Sequence, residues 1–146
     1  MSTLRMRTDR DKGWDAILAA IIALPGAEIS VGILGEAGQD IVNRATWNEF
    51  GTKTIPARSF IRSTFDENTA RYQRLAAKYA RKLGTDISVS SYLQKIGMTA
   101  VADIQVKIVK LRTPPNAPST IRAKKSSNPL IDTSRMRQSV NYEVKR

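Results

Sequence analysis

Apolar side chains recur along this chain at two spacings, and the alternation between them outlines the fold. Trp14, Ile17, Leu18, Ile21 and Ile22 fall three and four residues apart, which predicts an amphipathic helix with Asp11 and Asp15 at its positive end and Pro25-Gly26 as its stop. Ile29-Ser30-Val31-Gly32-Ile33-Leu34 is a β-rich run closed by Gly35 and Gly38, and it predicts a buried or half-buried strand. A second helix is expected from Asp40, as its cap, to Phe50, with Ile41, Ala45, Trp47 and Phe50 available for packing and Gly51 as its stop. Ser59 stands where it would cap a long helix whose apolar face, Ile61, Phe65, Tyr72, Leu75, Ala76, Tyr79 and Leu83, runs to Gly84. Leu93, Ile96, Ala100, Ile104, Ile108 and Leu111 predict another helix from about Ser90 to Leu111, and the two are expected to pair as an antiparallel hairpin.

Shorter signals complete the outline. Leu4 to Thr8 alternates apolar and charged residues, a short strand signal, and Ser139 to Val144 alternates as a final strand. Thr113 to Pro129 holds four of the six prolines together with Ser, Lys and Asn, a composition read here as an extended loop that cannot hold a helix. A structureless stretch of that length inside a small domain is usually either functional or disordered, so it either contacts a partner or is loose in the free chain, and partner contact is the favoured expectation. A turn or short helix around Asp132 to Met136 leads into the last strand. The expected architecture is α+β: one domain over residues 1–146, with a small mixed or antiparallel sheet packed by an N-terminal helix and a long helical hairpin, and an extended loop before the last strand.

Composition narrows the chemistry. The chain of 146 residues contains neither cysteine nor histidine, which excludes disulfides, thiolate nucleophiles, Cys/His zinc sites and histidine acid–base catalysis. The longest apolar run, Ala16 to Leu24, is far too short to span a bilayer core of roughly 30 Å, so no membrane segment is expected. No signal peptide is expected either, and a cytoplasmic setting follows. The net charge of +11 is unevenly placed: Met1 to Ala57 carries six basic and seven acidic residues, Arg58 to Leu83 seven against two, and Arg112 to Arg146 eight against two. Such a field attracts nucleic acid or an acidic protein face.

Each candidate chemical feature has a plainer explanation beside it. Gly32, Gly35 and Gly38 sit between a strand and a helix but match no phosphate-binding spacing, and they are read as turn glycines. Asp9, Asp11 and Asp15 are interleaved with Arg5, Arg7, Arg10 and Lys12, which hold them ionised and suit a helix start better than acid catalysis or a metal. Asp66 and Glu67 are adjacent on a helix and point apart. Arg71, Arg74, Lys78, Arg81 and Lys82 form a basic stripe, either a solvated face or one turned to DNA phosphates or an acidic neighbour; Arg122, Lys124 and Lys125 carry the same two readings. Trp47, Phe50 and Phe60 are either core residues or an exposed binding anchor. No cofactor, metal or catalytic residue is assigned.

Two segments carry more information than any of these. Asn48-Glu49-Phe50-Gly51-Thr52 followed by Ile55-Pro56-Ala57-Arg58-Ser59-Phe60-Ile61-Arg62, and later Pro115-Asn116-Ala117-Pro118-Ser119-Thr120-Ile121 leading to Pro129-Leu130-Ile131-Asp132-Thr133-Ser134, resemble the signature of the neck and tail-completion proteins of long-tailed bacteriophages. The family form of the second segment more often ends in Thr-Gly, and Ser134 departs from it. The resemblance covers much of the chain from Val31 to Val144.

What the resemblance implies is assembly rather than catalysis. It implies a structural virion subunit that forms a ring, commonly of six or twelve copies, between the head connector or adaptor proteins and the tail terminator or tail tube, and that lets DNA pass. The expected partner-facing residues are Trp47, Phe50, Thr52, Lys53, Ile55, Pro56, Arg58, Pro115, Asn116, Pro118 and Ile121, with the loops Thr52 to Arg58 and Thr113 to Pro129 ordering on contact. The basic stripe would face acidic connector surfaces or passing DNA. The expected location is the virion neck, assembled in the bacterial cytoplasm. A morphogenesis factor not retained in the virion and a non-specific nucleic-acid-binding module are the alternatives; a hydrolase ranks behind both because no nucleophile, base and orienting group can be named.

Overall fold

A computed structural model describes residues 14–130 and 134–145. Its elements are α1 (Trp14–Ala23), β1 (Glu28–Ile33), a 3-10 turn (Gly35–Ala37), α2 (Gln39–Phe50), α3 (Arg62–Ala80), α4 (Val89–Lys110), α5 (Pro118–Lys124), α6 (Arg135–Gln138) and β2 (Val140–Lys145). The α+β class therefore holds, with an antiparallel sheet. The strand expected at Leu4 to Thr8 lies outside the described residues, as do Asp9, Asp11 and part of the Asp132 to Met136 turn.

The sheet consists of the first and last described strands, joined in a register that sets Ile29 opposite Val144, Val31 opposite Tyr142 and Ile33 opposite Val140. Strand periodicity puts these six side chains on one face. A two-stranded sheet is marginal alone and needs a helix against it. That helix is α4, whose Val89, Leu93, Gly97, Ala100, Ile104 and Ile108 are buried at three- and four-residue spacing. Ser88 caps it, accepting the Ser91 N–H at 3.1 Å.

Two apolar clusters lie along α4. Near its start, Ala20 of α1 meets Val89 and Leu93, with Ile29, Leu83 and Val144 around them. Toward its end, Ile104 and Ile108 pack with Ala45, Phe60, Leu130 and Val140. Between the clusters sits Gly97, where an added Cβ would lie 2.7 Å from the Tyr142 ring and 2.8 Å from Ile29 Cδ1. The missing side chain is what lets the helix settle on both strands.

The expected hairpin forms. Arg71 and Tyr72 of α3 meet Asp103, and Glu67 meets Lys107, pairings that run in opposite chain directions. The Tyr72 hydroxyl donates to Asp103 at 2.9 Å; burial first, then that carboxylate, push it above its ordinary value. Glu67 is thus a structural partner.

Several details differ from expectation. The long helix begins at Arg62 rather than after a Ser59 cap and ends at Ala80, three residues before Leu83, because Lys82 carbonyl accepts the amides of Asp86 and Ile87 and turns the chain. Helix α2 starts at Gln39 behind Gly38 with no side-chain cap, leaving Asp40 in the first turn, 3.8 Å from Arg135. The segment Thr113 to Pro129 is not wholly extended: Pro118 occupies the first turn of α5, the one region where a helix tolerates proline, because the missing N–H has no intrahelical partner there. Finally, α3 presents a half-buried face, with Thr64 its one buried residue.

Gly97→Ala is expected to destabilise the fold by about 1–3 kcal/mol through overpacking, against the roughly 1 kcal/mol that Ala gains over Gly in an open helix. Urea denaturation at neutral pH measures the sign.

Candidate functional site

The first signature segment folds into the corner between α2 and α3. Its centre is Glu49, buried to 4% exposure at the end of α2. One carboxylate oxygen accepts the Phe60 and Ile61 amides at 2.8 and 2.9 Å. The other accepts the Arg62 amide at 3.0 Å, Arg62 Nε at 3.0 Å and the Ser59 hydroxyl at 2.7 Å. Ser59 Oγ takes the next amide, Ser63, at 3.3 Å, and the helix ladder then begins with Phe65 N–H to Ile61 carbonyl. The open amides at the start of α3 are therefore met mainly by a side chain from another helix. Burial alone would raise the Glu49 carboxyl, but the backbone bonds from Ile61, Arg62 and Phe60 and the Ser59 hydroxyl outweigh it and hold it below the ordinary value.

Arg62 completes an exchange of caps. Its guanidinium donates to the Glu49 backbone carbonyl at 3.1 Å, satisfying the C-terminal end of α2, and lies 4.6 Å over the Phe50 ring. Each helix end is served by a charge carried on the other helix.

Between the two helices the loop is tied to itself. Thr52 Oγ1 accepts the amides of Thr54 and Ile55 at 3.2 and 3.0 Å, and Thr52 N–H donates to Ile55 carbonyl. Gly51 has φ +78 and a Cβ there would sit 2.9 Å from the Ala57 nitrogen, so the turn closes only over a glycine. The loop Thr52 to Arg58 is thus tied by hydrogen bonds within the chain.

Arg58 joins the two signature segments. It is buried, and Nε donates to the Pro114 carbonyl at 2.7 Å, Nη2 to the Pro115 carbonyl at 3.0 Å and Nη1 to Asn48 Oδ1 at 3.2 Å. Carbonyl dipoles balance the cation, and burial pulls its pKa below the ordinary guanidinium value. Arg58 is consequently an internal staple whose side chain faces inward. Asn116, next along, keeps a buried amide nitrogen with no hydrogen-bond partner among the described residues.

The aromatic trio divides. Phe60 is fully buried, whereas Trp47 is 46% and Phe50 62% exposed on α2. Trp47, Ile41 and Ile55 line one side of a groove of about 480 Å³ whose other side includes Leu130 and Met136, with Arg44, Lys124 and Arg135 at its polar positions. Thr52, Lys53, Pro56, Pro115 and Pro118 are exposed nearby in sequence, and Ile121 is half-buried. The groove brings Trp47, Ile55 and Lys124 together; Arg122 and Lys125 are exposed on and beside α5 and do not line it.

The basic stripe is elsewhere, and its members are not equivalent. Arg71 Nη1 donates to both Asp103 oxygens at 2.7 Å, and Lys82 lies 3.8 Å from Asp86. Arg74, Lys78, Arg81 and Lys82 line their own shallow groove with Ala77.

Among the described residues no group of three or more acidic side chains is placed to hold a metal ion, and no helix is long and apolar enough to cross a membrane. Comparison with protein-family models, with curated proteins and with solved structures finds no match. Glu49, Asn48, Arg62 and Asp103 had no role assigned from sequence. A charge at the unfavourable end of its own helix, as Glu49 is, was the available signal for a partner elsewhere.

Glu49→Gln is expected to cost about 3 kcal/mol at neutral pH, since it removes the charge that four N–H groups and a hydroxyl share. A lowered folded-state pKa stabilises above the unfolded value, 4.5, and that contribution is lost as pH falls through the folded value. The gap between wild type and variant therefore closes below about pH 4.5, readable in denaturant titrations at two pH values. Arg58→Met leaves three acceptors without donors and should destabilise by about 2–4 kcal/mol, with faster amide exchange in 113–117; Arg58→Lys rescues little, since an ammonium cannot fork to three sites.

Proposed function

We propose that the protein is a non-enzymatic assembly subunit of the neck of a long-tailed bacteriophage, a ring component joining head connector proteins to the tail. The observation that carries this reading is exposed Trp47, which lines a largely apolar groove, with exposed Phe50 about one turn further along the same helix. Large aromatics left in water at the rim of an apolar groove are what an interface centre contains before its partner arrives.

Two further features support it. The residues that resemble the neck signature are the ones that build the α2–α3 corner and, through Arg58, fasten the second segment to it. Pro115, where the second segment begins, is thereby tied to the first segment, which lowers the ordering cost of docking. Ring closure then follows from head-to-tail contact between a groove on one copy and another surface on the next. The location in the virion neck and the connector and tail partners belong to the same proposal.

Replacing Trp47 and Phe50 together with Ala is expected to leave the fold intact by circular dichroism and to weaken assembly about 100-fold or more, as loss of an anchor pair does. Native mass spectrometry of the chain mixed with cognate connector and tail proteins reads the outcome. A defined ring formed by wild type and lost in the variant supports the proposal; a wild-type chain that stays monomeric with every connector and tail protein overturns it.

A further inference from the structure

Helix α3 carries a cationic surface whose charges differ from the rest of the stripe in one respect: they are not neutralised. Arg71 is held by Asp103 and Lys82 lies near Asp86, but Arg74, Lys78 and Arg81 have no carboxylate partner among the described residues. From Asn68 to Gly84 the chain contains no acidic residue. Arg74 and Lys78 lie four residues apart on one face of α3, Arg81 is the capping residue just past its end, and the three line a common groove with Ala77 and Lys82.

The same face lacks what a protein interface needs. The exposed large apolar side chains among the described residues are Leu18, Ile22, Leu24, Trp47, Phe50, Met98 and Val106, and none is on α3. A protein partner would find no large apolar side chain to bury there. A phosphodiester backbone needs none, because its affinity comes from cations displacing condensed counterions. From position 74 to position 81 the chain advances about 10 Å along the helix axis, about three phosphate-to-phosphate steps of one strand of a duplex.

We propose that Arg74, Lys78 and Arg81 form a sequence-independent contact for the phosphate backbone of duplex DNA. This surface uses neither signature segment, so it stands independently of the assembly reading. The contact is weak in one subunit and multiplies where several copies present it to one duplex.

The test is fluorescence anisotropy of the full chain with two labelled duplexes of unrelated sequence, at salt from about 50 to 200 mM. Wild type is expected to bind both equally, and Arg74→Gln, Lys78→Gln, Arg81→Gln in one chain is expected to weaken both by about tenfold or more at low salt. The slope of log affinity against log salt should fall by about 2.7, the value for three phosphates. All three side chains are exposed, so unchanged circular dichroism and melting temperature confirm that the variant folds. Absence of wild-type binding at low salt overturns the proposal. So does binding that survives the triple change, or that is lost instead on Arg122→Gln with Lys125→Gln. A triple variant that binds DNA normally but fails to join its protein partners assigns the face to protein and overturns it as well. Ring assembly without DNA binding removes this inference alone and leaves the assembly reading standing.

Discussion

Everything around the α2–α3 corner depends on one buried carboxylate. A helix that starts at the surface can meet its open amides with water or with a local Ser, Thr or Asp. Helix α3 instead starts beside fully buried Phe60, and its first amides converge on Glu49. Those bonds fix the angle at which the chain leaves the loop, and so fix where Phe60 enters the core and where Phe50 is left outside. Packing and surface presentation are set by the same electrostatic contact.

Arg58 extends that corner across the molecule. Taking a guanidinium out of water is costly unless its donors find acceptors. Here the acceptors are an Asn side chain from α2 and two consecutive carbonyls from a proline-rich segment more than fifty residues away in sequence. Proline carbonyls suit the role because Pro115 has no N–H of its own to satisfy in the same space. The result is a rigid connection in which two polar loops are ordered by charge and dipole rather than by apolar burial.

The division of surfaces follows from where the apolar residues were needed. Helix α4 takes more inward-facing positions than any other element and lies directly on a two-stranded sheet at Gly97, so α2 and α3 each keep a face in solvent. On α2 that face is aromatic; on α3 it is cationic. A partner that excludes water suits the first, and a highly hydrated polyanion suits the second.

Helices α1 to α4, the two strands of the sheet and the hairpin were legible in the sequence because periodicity at 3.6 and 2 reports which side of an element is buried, and burial against the nearest neighbours is a local pattern, whereas α5, mostly exposed and opened by a proline, left no such trace. Val140, Ile104 and Ile108 illustrate it: each sits in the core as its spacing requires. What the sequence left open was the service each charge performs. Glu49 and Arg62 stand at the wrong ends of their own helices by the dipole rule, and only when α2 and α3 are folded against each other does each become the cap of the other. Whether Trp47, Phe50 or Phe60 would be core was equally undecided, since all three have the composition of both a core and an interface. Spacing along the chain determines which residues share a face; only the tertiary structure decides what that face meets, because hydrogen bonds and desolvation act across space between segments with no fixed separation in sequence.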